Sequence, residues 1–290
     1  MRLSRANSGI WLVAGMLVAS LFLPVVSRAQ GQTQQQQQQM GPITNSLSSS
    51  DTDAQTRELM DKNLRTNFGD PKIEAAYTAF HNAKEAEQKI KLGEDFINKY
   101  PTSFHIQGAY EELSQAYYSK QDMPNFYRLS DKGISLYPDD VTLLAITGWV
   151  IPRAYENSDP DGDKKLDKAV GYEKHALDVL KTMDKPASLS AQQFDLYRTE
   201  ESAIAHSALG LVYFRQGQFD DSVKEMQLAT QGSSTPDPTD FFVLGADFQN
   251  MNQFKEAADA FNRCAQISGP LQAGCKENAQ NAAKQAGPAK

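Results

Sequence analysis

Several things are scarce in this chain, and each scarcity closes a route. Histidine occurs four times, as His81, His105, His175 and His206, and none stands near a second histidine or a cysteine at ligand spacing. No zinc motif, Ser-His-Asp signature or glycine-rich phosphate loop appears either. The expectation is therefore no catalytic set, no cofactor and no metal centre of a common type. Basic charge is short: 29 Lys and Arg stand against 36 Asp and Glu, for a net charge of −7. An acidic chain without a basic cluster repels phosphate backbones, which argues against nucleic acid and anionic membrane surfaces as partners. Cysteine occurs only as Cys264 and Cys275. None follows the apolar N-terminal stretch, where a lipid-modified protein would need one.

The long apolar run that does occur, "IWLVAGMLVASLFLPVV", lies at the start. Arg2 and Arg5 precede it, and Ser27 and Ala29 follow at the small-residue positions of a cleavage site. Residues 1–29 read as a secretory signal peptide. The alternative is an uncleaved N-terminal membrane anchor, for which the run is slightly short of the roughly 20 residues a span needs. Removal of the segment leaves 26 basic against 36 acidic residues, a net charge of −10. The expected location is periplasmic or secreted, with no integral span after cleavage. Residues 30–55, "QGQTQQQQQQMGPITNSLSSSDTDAQ", are rich in Gln and Ser and nearly free of large apolar groups. Such a segment cannot bury enough surface to offset its ordering entropy, and it reads as a disordered linker.

The remaining residues, 56–290, repeat themselves. "ALGLVYFRQGQFDDSVKEM" from Ala208 is followed 35 residues later by "VLGADFQNMNQFKEAADAF" from Val243. Leu209, Gly210, Tyr213, Ser222, Met226 and Ala229 in one unit match Leu244, Gly245, Phe248, Ala257, Phe261 and Cys264 in the next. Weaker units fall at 107–140 (Tyr110, Leu113, Ser114, Tyr117, Gly133, Pro138), at 141–183 (Leu144, Gly148, Ala169, Ala176) and at 70–103, which ends on Pro101. The clearest units are 203–236 and 238–270. Pro152 should kink or shorten the first helix of its unit. The stretch from Ala191 to Gln216 reads as one extended helix capped by Ser188 or Ser190.

This pattern resembles the tetratricopeptide repeat family, whose unit is a helix-turn-helix of about 34 residues. The resemblance implies an all-α solenoid, a right-handed superhelix of four to five helix pairs. The polar, Ala-rich "AGCKENAQNAAKQA" would form a capping helix at its end. An unrelated helical bundle would have to match six places in register by chance. The resemblance also implies a non-catalytic scaffold that holds a protein or peptide in its concave groove. Carried over place by place, the groove positions are Glu111, Gln115, Tyr118, Trp149, Arg153, Ser207, Leu211, Phe214, Arg215, Phe242, Gln249 and Asn250. Family members that clamp a C-terminal carboxylate use Lys and Asn where Glu111, Gln115, Ser207 and Leu211 stand here, so that clamp is not expected. The envelope context makes an exported bacterial scaffold the leading reading. The alternatives are a self-assembling architectural envelope component and, less favoured, an enzyme.

Two local features remain. Asn157, Asp159, Asp161 and Gly162 match the first half of a calcium loop. The closing Glu is replaced by Lys168, with Asp167 one place early, so this is a weak calcium candidate beside the simpler reading of a solvated acidic turn. Cys264 and Cys275 are an even pair in an oxidising compartment and hence a disulfide candidate. Such a bridge would contribute roughly 2–3 kcal/mol on the chain-entropy estimate. The alternative is two small buried thiols.

Overall fold

The structure is a computed structural model that describes residues 69–156, 158–186 and 189–287. The expected signal peptide and linker lie outside the described residues, as does Ser188. The described residues form eleven helices and no strand. They are α1 (Pro71–His81), α2 (Ala86–Lys99), α3 (Ile106–Ser119), α4 (Met123–Leu136), α5 (Val141–Arg153) and α6 (Gly162–Thr182). After these come α7 (Ala191–Arg215), α8 (Phe219–Gly232), α9 (Pro238–Asn250), α10 (Phe254–Gln266) and α11 (Gln272–Ala286). The first ten pack as five successive pairs and α11 lies on α10. The all-α solenoid expected from the repeat is the architecture that forms.

Four of the five first helices begin where the sequence supplies a side-chain cap; α3, behind His105, has none. Asp70 accepts from the amides of Lys72 and Ile73, Asp140 from Leu143, and Asp237 from Thr239. Pro71 and Pro238 follow their caps directly, where a missing N–H costs nothing. Ser190 and Gln193 form a full capping box at the start of α7. Pro152 falls in the last turn of α5, which ends one residue later at Arg153. It sits at the end of the helix and does not interrupt its middle.

The turn inside a pair is built the same way three times. Gln218 N–H donates to the Tyr213 carbonyl and Gly217 N–H to Phe214. Asp122 and Gln121 repeat this with Tyr117 and Tyr118, and Gln253 and Asn252 with Phe248 and Gln249. The middle residue is left-handed in all three: Gly217 at φ 73°, Gln121 at φ 58° and Asn252 at φ 60°. Only one of the three places holds the residue that adopts this conformation without a Cβ penalty.

The shared Leu-Gly has a direct packing cause. A Cβ on Gly210 would sit 2.8 Å from the Met226 side chain, and one on Gly245 would sit 2.7 Å from the Phe261 ring. In these two pairs the first helix is therefore bare where a large side chain of the second helix lies across it. Buried Leu, Phe, Tyr and Ala fill the space between pairs, in one large cluster across α1 to α5 and smaller ones beyond. At the C-terminal end Cys264 of α10 and Cys275 of α11 form a disulfide, with Cα atoms 5.8 Å apart. Both cysteines are fully buried.

Two measurements check this packing. Gly245→Ala should lower stability by about 1–3 kcal/mol in denaturant unfolding, because the added methyl overpacks the Phe261 contact. Gly171→Ala, in mid-helix with nothing within 4 Å of the added carbon, should raise it by about 0.5–1 kcal/mol. Equal effects at the two sites would refute the close-contact account. Separately, Gln121→Gly should stabilise by about 1 kcal/mol through relief of left-handed strain, and a loss instead would show that the turn tolerates its side chain.

Candidate functional site

The five first helices stand side by side, and a chain of polar contacts records the order. Between α1 and α3, Tyr77 and His81 both reach Glu112, at 3.1 and 2.7 Å. His105 at the N-cap of α3 meets Glu74 of α1 at 3.0 Å and stacks on Tyr77, with ring centroids 4.0 Å apart. Gln107 of α3 donates to the Asp140 cap of α5 at 3.1 Å. Arg153 of α5 donates to Ser207 of α7 at 2.9 Å, and Ser207 donates onward to Asp240 of α9 at 2.6 Å. A cavity of about 210 Å³ opens between α1 and α3, lined by Tyr77, Phe104, His105, Gln107, Gly108 and Glu111.

The middle of this face is acidic. Glu111 of α3 hydrogen-bonds the Asp140 carboxyl, and burial followed by the charge of Asp140 holds Glu111 well above the usual carboxylate range. Asp140 is itself raised by burial, against the pull of its backbone and side-chain donors. Burial lifts Glu201 of α7 to about 7, with Asp140 adding to the effect. Glu173 of α6 is fully buried, neither carboxyl oxygen has a hydrogen-bond partner, and burial drives it well above its ordinary value. Burial also raises Asp240 to about 7, with Asp237 adding and Arg153 opposing.

No protein-family model matches the chain, and no curated protein matches it. Among solved structures it is similar to the crystal structure of PilW, described as a widely conserved type IV pilus biogenesis factor. The two share 14% identity over 82% of this chain and 91% of that one, with a TM-score of 0.48. At that score the likeness supports no conclusion about function.

The twelve expected groove residues divide. Trp149, Ser207 and Leu211 are buried between helices and offer no surface to a partner. Each is taken up by packing: Trp149 against Tyr118 and under the Arg153 guanidinium, Ser207 between Arg153 and Asp240, and Leu211 beside Met226 and Val243. Arg153 is likewise committed. It donates to the Trp149 carbonyl and Ser207 and faces Asp237 and Asp240 at 3.6 and 3.7 Å, so it ties three pairs together instead of waiting for a ligand. Phe214 packs on Phe219 and Phe242 on Phe261, each half-buried. Arg215 leans over the Tyr155 ring. Glu111, Gln115, Tyr118 and Gln249 keep part of their surface, and Asn250 is exposed.

At the calcium candidate, Asp159 is engaged by Lys165 and by the Asp161 amide, Asp161 is paired with Lys164, and Asp167 is exposed. Lysines thus occupy two of the carboxylates, and Asn157 lies outside the described residues. Among the described residues no three His, Cys, Asp or Glu side chains are placed to hold a metal.

Sequence reasoning missed Asp140, Glu173, Glu201, Asp240 and Asp247. A signal existed for Glu173. Ala169 and Ala176 flank it at helical spacing, which puts it on the buried stripe of α6. A Cβ on Gly148 would lie 2.3 Å from its carboxyl oxygen. It therefore occupies the place that Met226 and Phe261 fill opposite Gly210 and Gly245.

Asp247 is a separate case. The Ser222 hydroxyl lies 2.8 Å from the Gly210 carbonyl and 2.6 Å from Asp247 Oδ2. A hydroxyl has one proton, so both bonds form only if Asp247 is protonated and donates to Ser222 while Ser222 donates to Gly210. Burial lifts Asp247 to about 7, consistent with that arrangement. The unfolded carboxyl titrates near 4. Its contribution to stability is therefore complete below about pH 4, declines as pH rises, and is gone above about pH 7. Asp247→Asn, which keeps a donor toward Ser222, should be more stable than the parent at pH 8 by roughly 1–3 kcal/mol. It should gain little at pH 5. Urea unfolding at the two pH values decides, and an equal difference at both would refute the protonated state.

Proposed function

We propose that the protein is an exported, non-catalytic scaffold of the bacterial cell envelope that binds a protein segment along its first-helix face. The observation that carries this reading is the stacking of α1, α3, α5, α7 and α9 into one continuous face. That face joins a cavity with two aromatic walls to half-exposed Gln115, Tyr118 and Gln249. Stacked helix pairs make extended concave surfaces of this kind, and solenoid proteins use them to hold partners. The N-terminal sequence supports export. The polar contacts along the face support structural duties, since Arg153, Ser207 and Asp240 bond one another across three pairs. No described helix is long and apolar enough to cross a membrane.

In-cell photo-crosslinking tests this reading. A crosslinking residue at Gln115 or at Gln249 should trap a discrete partner, while one at Asp178, exposed on second helix α6, should not. Adducts with a second copy of the chain alone would replace the scaffold by the self-assembling component. Equal trapping at Asp178 would remove the face from consideration.

A further inference from the structure

We propose that this face takes a cationic protein segment, its ammonium or guanidinium groups seated against Glu201 and the Glu111–Asp140 pair, in front of buried Glu173. The inference rests on the scaffold reading and names the chemistry of the partner.

Charge pairing is the first support. Some other part-buried carboxylates of this chain have cations of their own. Glu112 holds Lys89, and Glu94 holds Arg128. Among the described residues, Glu111, Asp140, Glu173 and Glu201 have none within ion-pair distance. The guanidinium whose charge acts on Glu173, that of Arg153, has its terminal nitrogens engaged by the Trp149 carbonyl, Ser207, Asp237 and Asp240. Four carboxyls from four elements thus stand along the face without an ion-pair partner among the described residues. Unpaired buried charge is costly, and a fold under no other demand would place apolar groups there.

Glu173 is the second and independent support. Its two oxygens are buried and without partners. The repeat shows what the place accepts, because Met226 and Phe261 occupy it in the next two pairs. A carboxyl stands in the third pair at the expense of stability, and beside it Glu201 keeps part of its surface. The charge of Glu201 acts on Glu173 and on Glu111, which places the carboxyls in one neighbourhood. Glu111 also lines the cavity between α1 and α3, which gives its carboxyl an opening toward solvent. The carboxyls are strung along the face and not gathered about a point. That spacing matches the successive side chains of a Lys- or Arg-bearing segment better than a single metal ion.

Binding such a cation requires the carboxyls to ionise, so protons must leave as the segment arrives. Calorimetric titration of the chain from Gln30 onward with hexalysine, and with hexaglutamate as control, tests this. Hexalysine should bind and hexaglutamate should not. Binding should be tighter at pH 8 than at pH 6, with a heat that depends on the ionisation enthalpy of the buffer. Glu173→Met replaces a buried carboxyl and Glu201→Gln a part-buried one by a neutral group, so both variants should fold and melt above the parent at pH 8. Each should weaken hexalysine by about tenfold or more. Asp167→Asn with Asp259→Asn, two exposed acids on second helices, should leave binding unchanged. No binding of hexalysine, or equal weakening in the exposed double variant, would overturn the inference. If crosslinks at Gln115 capture a partner while hexalysine fails, the scaffold stands and the cationic occupant falls. If hexalysine binds at these acids while the crosslinks capture nothing, the site stands and the scaffold reading falls.

Discussion

Everything in this protein depends on how closely two helices of a pair can lie. That distance is set at one spot, where a glycine or other small residue of one helix meets a large side chain of the other. Gly210 under Met226 and Gly245 under Phe261 fix it in the last two pairs. Once fixed, it determines which residues face the neighbouring pair and which face outward. The same contact explains why two stretches of sequence look alike: residues that make one contact are constrained together. A helix pair cannot bury its apolar surface alone, and stacking copies is what completes the core.

Glu173 tests that constraint from within. It lies over Gly148 as Met226 and Phe261 lie over their glycines, yet it brings a carboxyl into a place shaped for hydrocarbon. Around it, Glu111, Asp140 and Glu201 are all pushed toward their neutral forms, with burial the main cause in each. An acidic protein that collects unmatched acids on one face accumulates electrostatic tension there. The N-terminal part of the same face does the opposite, with Glu112 and Glu74 matched by Lys89, His81 and His105. The two regions are built from similar residues and differ in whether each acid was given a basic side chain as partner.

Much of the architecture was legible in the sequence because it is local and periodic. Leu-Gly, the small residues that recur between units and Ser190 before α7 all act within one or two turns. The candidate face was read less well, since a groove position assigned by counting along a repeat ignores what the next pair brings against it. Trp149, Ser207 and Leu211 failed for that reason: α7 and α9 close over them. Arg153 failed differently, because the acids that hold it, Asp237 and Asp240, lie more than eighty residues on in the chain. Asp247 was invisible because its state depends on a single hydroxyl proton shared with Ser222 across a helix contact. No pattern of residue types encodes the direction of such a proton.

The disulfide gives the molecule a direction. In a stack where each pair touches only its neighbours, disorder enters from the two ends. One end is sealed, since Cys264 and Cys275 bind α11 covalently to α10. The other end of the described array, α1 on α2, is held by noncovalent contacts alone. Under oxidising conditions the stack should therefore come apart like a zip with one stop, from α1 toward α11. The cavity beside Tyr77 would be the first feature lost, and the Asp247 contact among the last.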